Sequence, residues 1–126
     1  MKKVEERLQT VISNYIKLQY PYVIFTAEKS GLKLSIGQAV KAKNQRNPSR
    51  GLPDVLILQP NKHYKGLFLE VKKETPYLKS GKLSNNKHIQ EQNEVLKRLN
   101  SLGYLALFVW SYEMAKVILD SYMKEI

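Results

Sequence analysis

A chain of 126 residues is long enough to bury one core and too short for two ordinary domains, so residues 1–126 are expected to form a single unit. With 43% hydrophobic and 25% charged residues it has the composition of a globular protein, and without cysteine it can have no disulfide, thiolate zinc site or thiol nucleophile. The formal charge of +10 favours a polyanionic partner, while no apolar run approaches the roughly 18 residues of a membrane span. Met1-Lys2-Lys3 is followed by Glu5, Glu6 and Arg7 where a signal sequence would need an apolar stretch, so a soluble, cytoplasmic protein is expected.

Val4, Leu8, Val11, Ile12, Tyr15 and Ile16 recur at helical spacing and Tyr20-Pro21 ends the pattern, which predicts an amphipathic first helix. Residues 22–27 are aromatic and β-branched and residues 32–36 alternate after Ser30-Gly31, together predicting a hairpin. Residues 37–53 are polar, basic and broken by Pro48 and Gly51, the pattern of a long functional loop. Two short apolar runs follow, 55–58 between Asp54 and Pro60 and 67–72 after Gly66, and both read as strands buried on two faces. Residues 75–86 contain Pro76 and Gly81 and read as a second loop. Ser84, Asn85 or Asn86 then caps a helix that runs to Leu102 and stops at Gly103. A strand over 104–110 and a helix capped by Ser111 and running through Tyr122 complete an α/β chain of order α-β-β-β-β-α-β-α.

Basic residues gather in two tracts that contain no acid. Lys29, Lys33, Lys41, Lys43, Arg46 and Arg50 occupy the first, and Lys79, Lys82 and Lys87 the second. Such clustering in loops suits a surface that tracks phosphates, whereas solubility requires only scattered charge. Arg46, Arg50 and Lys82 stand in these acid-free loops, which are nearest the chemistry-bearing residues in sequence, and are the candidate phosphate contacts. His63 and His88 lie far apart in lysine-flanked stretches, which argues against a histidine metal cluster and suits solvated side chains.

Asp54 directly precedes a buried strand, where a lone carboxylate requires a partner or a cation. Glu70 and Lys72 interrupt an apolar strand two residues apart and so share a face, with Leu67, Leu69 and Val71 on the other. An isolated Glu-x-Lys is most simply an ion pair. Adjacent strands that begin with Pro-Asp and end with Glu-Val-Lys, however, can place two carboxylates around a hard cation such as Mg²⁺ or Mn²⁺, with Lys72 beside it to steady negative charge. That trio is what phosphodiester hydrolysis needs.

Gly51-Leu52-Pro53-Asp54 resembles the Gly-x-Pro-Asp motif, and Glu70-Val71-Lys72 the Glu-x-Lys motif, of the virus-type replication-repair nuclease (VRR-NUC) domain in the PD-(D/E)xK nuclease superfamily. Glu5-Glu6-Arg7-Leu8-Gln9 is similar to the start of that domain's first helix, and Gln92, eleven residues before Gly103, to its helical glutamine. The resemblance spans nearly the whole chain. It implies a mixed central sheet flanked by helices, with the site at one edge. It also implies metal binding by Asp54, Glu70 and the Val71 carbonyl, and an active site completed by Glu5, Lys72 and Gln92.

Helical geometry at about 100° per residue allows Glu5 to face such a site and turns Glu6 away, while Gln92 falls within the stripe of Ile89, Leu96 and Leu99. A charge at the helix N-terminus would equally explain Glu5, and a backbone-bonded glutamine would explain Gln92. The resemblance implies a metal-dependent DNA endonuclease of bacterial or phage repair and recombination, without a small-molecule cofactor. A dimeric Holliday junction resolvase is the first expectation, because paired cuts require two sites related by a two-fold axis. Cleavage of flap, nicked or linear DNA is the alternative, and a basic DNA-binding module without catalysis is the alternative of another class. For the homodimer, Tyr112, Ala115, Ile118, Leu119, Tyr122 and Ile126 form the stripe that covers the sheet. Met114 and Val117 fall outside it, available to a second copy.

Overall fold

The computed structural model describes residues 2–27 and 51–126. Its elements are α1 (Lys2–Gln19), β1 (Phe25–Ala27), β2 (Val55–Ile57), β3 (Leu67–Val71), α2 (Lys87–Ser101), β4 (Leu105–Val109) and α3 (Tyr112–Met123). The expected strand at 32–36 lies outside the described residues, as do Arg46 and Arg50. Among the described residues no helix is long and apolar enough to cross a membrane.

The strands form one mixed sheet in the order β1-β2-β3-β4. β2 pairs antiparallel with both β1 and β3, through Phe25↔Ile57 and Val55↔Leu69, while β3 and β4 run parallel. Parallel neighbours need a long crossover, and the segment containing α2 provides it. Side chains alternate across the sheet. Leu67, Leu69 and Val71 enter one core with Ile12 and Ile16 of α1 and Leu119 of α3. Phe68, Ala106 and Phe108 enter a second core with Leu96 of α2. Every residue of β3 is buried as a result, which explains its nearly unbroken apolar sequence and forces Glu70 into the layer beneath α2.

The helix ends follow local chemistry. The Asn86 side chain accepts from Ile89 N, and Ser111 from Met114 N, each satisfying a donor of a first helical turn. Gly103 takes φ +102°, the left-handed conformation that lets the chain leave α2. Just before this turn, the Asn100 amide donates to Leu96 O and Ala106 O and accepts from Ala106 N. A helix side chain thus occupies the hydrogen-bonding edge of β4.

Two segments differ from the sequence expectations. Residues 75–86 are an ordered hairpin-like turn, closed by Leu78 N to Lys82 O at 2.7 Å, Ser84 N to Pro76 O at 2.8 Å and a Tyr77↔Leu83 bridge. The cause is packing that local pattern does not reveal: Leu83 packs on the α2-side core, and the Tyr77 ring meets Phe108 and Trp110. On α3, Met114 packs against the main core instead of facing outward, leaving Val117, 64% exposed, as the outlying apolar residue of that helix.

α1 and α3 are also joined by a polar clamp, in which the Tyr15 and Tyr20 hydroxyls both donate to Asp120 Oδ1 at 2.6 Å. These bonds hold the Asp120 carboxyl below its usual range. The hydrogen bond to Asp120, then burial and its charge, push the Tyr15 phenol up to about 12. Burial and the same carboxylate raise Tyr20 as well.

Candidate active site

The β2–β3 register pairs Val55 with Leu69, and continuing it by one residue sets Asp54 opposite Glu70. Where the ladder ends, Asp54 Oδ2 accepts from Val71 N at 2.8 Å, which fixes the carboxylate against β3. Glu70 is 7% exposed. Burial pushes its carboxyl well above the usual range, and a hydrogen bond to Asp54 and the Asp54 charge push the same way. Lys72 opposes this shift, and the charge of Glu5 adds to it, so the α1 N-terminus lies within electrostatic reach. From β3, Lys72 Nζ donates to Gln92 Oε1 on α2 at 2.9 Å. Gln92 therefore belongs to this polar cluster instead of serving only its own helix backbone.

Two cavities meet here. One of about 150 Å³ is walled by Asp54, Glu70, Gln92, Glu91 and His88. A larger one of about 430 Å³ is walled by Glu5, Lys72, Lys73, Tyr77 and, again, His88. The site therefore lies over the ends of the central strands β2 and β3, beneath α2, and not on an edge strand, because the Asp-bearing and Glu-bearing strands are the inner pair of the sheet.

Two carboxyl groups bonded to each other in a buried place cannot both carry charge cheaply, and a divalent cation would relieve them as a shared proton does. Among the described residues no group of three or more His, Cys, Asp or Glu side chains is placed to hold a metal. The donors on hand are two carboxylates and main-chain oxygen, with water to complete a shell. This set fits a hard, oxygen-preferring cation such as Mg²⁺.

Asp54, Glu70, Lys72 and Gln92 are thus brought together, with Glu5 nearby. Lys82 is exposed at the hairpin and is absent from the described walls of both cavities, whereas Lys73, next to Lys72, lines the larger one. His88 is exposed, as its reading as a solvated side chain expects, yet it lines both cavities, a role the sequence reading did not give it; Tyr77 escaped that reading altogether. For His88 a signal existed, since it stands four residues before Gln92 and so shares its helix face. Tyr77 gave none, lying in a polar tract whose fold depends on distant contacts.

The whole architecture can be compared with known proteins. A solved structure described as "VRR_NUC domain protein" superimposes with a TM-score of 0.66, at 22% sequence identity, covering 97% of this chain and 89% of that one. No family model and no curated protein matches the sequence. The chain has an α/β fold with a four-stranded mixed sheet flanked by helices, which is the fold it shares with that structure. That likeness is one of fold, and it agrees with the fold that the motif resemblance implied.

Proposed function

We propose that the chain is a metal-dependent endonuclease that hydrolyses DNA phosphodiester bonds. The observation that carries this reading is the Asp54–Glu70 carboxyl pair at the ends of two neighbouring strands, half-buried at Asp54 and buried at Glu70, with the Lys72–Gln92 pair beside it. Asp54, Glu70 and the Val71 carbonyl would hold Mg²⁺ or Mn²⁺, which when bound polarises a phosphate and lowers the pKa of water. The hydrogen bond from Val71 N keeps Asp54 in place. Gln92 keeps the Lys72 ammonium extended toward the site, where it stabilises the charge that grows on a phosphate under attack. The net charge of +10 supplies sequence-independent attraction for the backbone, with Arg46, Arg50 and Lys82 as the contacts to test.

Asp54→Asn and Glu70→Gln should each lower cleavage at least about 100-fold while leaving most DNA affinity, because phosphate binding rests on Lys and Arg. Lys72→Ala should also suppress turnover. The measurement is a gel assay with magnesium or manganese on junction, flap, nicked and linear DNA, paired with a binding isotherm. Wild-type-like cutting by Asp54→Asn or Glu70→Gln refutes the site, and binding without cutting by the wild type would favour a non-catalytic module.

The finer reading is a junction-resolving homodimer acting on branched DNA. A four-way junction presents two equivalent strands, and one copy of this chain offers one such carboxyl pair among the described residues. Because Met114 packs against the core, the apolar surface we favour for a second copy is the meeting of β1 and β2 in place of α3. There Ile24, 72% exposed, accepts at its carbonyl from Leu58 N, and Leu58 is 54% exposed. Light scattering should give a wild-type dimer at micromolar concentration, and Ile24→Glu with Leu58→Glu a folded monomer that has lost paired junction cuts. A wild-type monomer that cuts both strands in concert would overturn the dimer.

A further inference from the structure

The larger cavity is unassigned by the hydrolytic chemistry, yet it shares Lys72 and His88 with the site. Its volume of about 430 Å³ lies in the range of small-ligand pockets, roughly 300–1,000 Å³, and suits one nucleotide but not a stacked base pair. Its walls offer what a nucleotide requires. Lys72 and Lys73 bring ammonium groups for a phosphate, set against the carboxylates of Glu5 and Glu74 on the same walls. The Thr75 and Ser84 hydroxyl oxygens accept from Tyr77 N and Asn86 N, which leaves each hydroxyl proton to be donated elsewhere. Tyr77, 42% exposed, lines the same space, and its ring is held by Phe108 and Trp110 at centroid distances of 6.3 and 6.0 Å.

We infer that this cavity receives the nucleotide adjoining the scissile phosphate in an unpaired state, with its base stacked on Tyr77. The inference rests on the nuclease reading above and names the substrate class of that site: DNA with an unpaired or extruded nucleotide at the cut. A base within a continuous duplex is stacked on both faces and can enter a walled pocket only after leaving the helix, so a substrate already unpaired there is favoured. Stacking on an aromatic ring tolerates any base and gives a preference for structure over sequence.

The test uses the full chain and duplexes carrying 2-aminopurine at each position around the cut, with or without one unpaired nucleotide, bound in calcium so that strands remain intact. At one position emission should be quenched by the wild type and by Tyr77→Phe, and should brighten with Tyr77→Leu. With magnesium, the ratio of kcat/KM for unpaired over paired substrate should fall about tenfold in Tyr77→Leu and persist in Tyr77→Phe. Equal emission from wild type and Tyr77→Leu overturns the pocket whatever the cleavage ratio. Should Tyr77→Leu fail to fold, photocrosslinking of 5-iodouracil at the same position to the wild-type chain decides. An adduct on Tyr77 supports the pocket, and adducts only elsewhere overturn it. A chain that cuts no DNA but quenches the probe through Tyr77 sinks the nuclease reading and leaves the pocket standing.

Discussion

Glu70 costs the fold more than its neighbours on β3. Its folded pKa lies above the unfolded value, chiefly because of burial, so its contribution is complete below the ordinary glutamate value of about 4.3 and is lost as pH rises toward the folded value. Gln at this position does not titrate, and its amide can donate to Asp54 as the shared proton does. Metal-free Glu70→Gln should therefore melt several degrees above the wild type at pH 8, with the two converging near pH 4. Magnesium should raise the wild-type melting temperature and leave that of the variant unmoved. Scanning calorimetry across this range checks both, and equal melting at pH 8 would show that the buried carboxyl carries no penalty. The same misfit made the residue legible in sequence: Asp54, Glu70 and Lys72 stand out because they interrupt apolar strands, and Gln92 because it breaks an apolar stripe. His88 and Tyr77 sit among polar residues, where one more polar or aromatic side chain contrasts with nothing.

At the scale of elements, α1 and α3 are joined by apolar packing and by the shared carboxylate of Asp120. Asp120→Asn should cost about 1–2 kcal/mol near neutral pH, the usual worth of hydrogen bonds to a charged group discounted for partial exposure. The sign of its pH dependence follows from the shifts. The lowered Asp120 pKa means that its contribution is present above about 3.9 and fades as pH falls through the folded value. The raised Tyr15 pKa means that its contribution is present below about 10 and fades as pH rises through about 12. Urea midpoints at pH 3, 7 and 11 should separate wild type from variant most at pH 7, and a constant difference would show that the clamp is only packing. Helices and buried strands were legible because caps and periodicity are local signals. The 75–86 hairpin was not, since Tyr77 meets rings more than thirty residues further along the chain and Leu83 packs on a core assembled from β3, α2 and β4. Met114 was misjudged for a related reason: an ideal helical wheel gives the direction of a side chain, but not how far the neighbouring layer extends to meet it.

Over the whole molecule, the two helical layers bury the sheet from both sides, and the carboxyl pair sits where its two inner strands end beneath α2. The mixed topology produces this arrangement, because the parallel β3–β4 pair requires the crossover that carries α2, and with it Gln92 and His88, over the Asp and Glu strands. The same topology leaves β4 at the border of the sheet, with Ala106 N–H and C=O turned outward and both taken by Asn100. Viewed from a neighbouring molecule, that amide stands where an incoming strand would have to dock, and it occupies the pairing groups at the middle of the border. Asn100→Ala should still fold in dilute solution, but on prolonged warming at high concentration it should form thioflavin-positive fibrils under conditions in which the wild type stays clear.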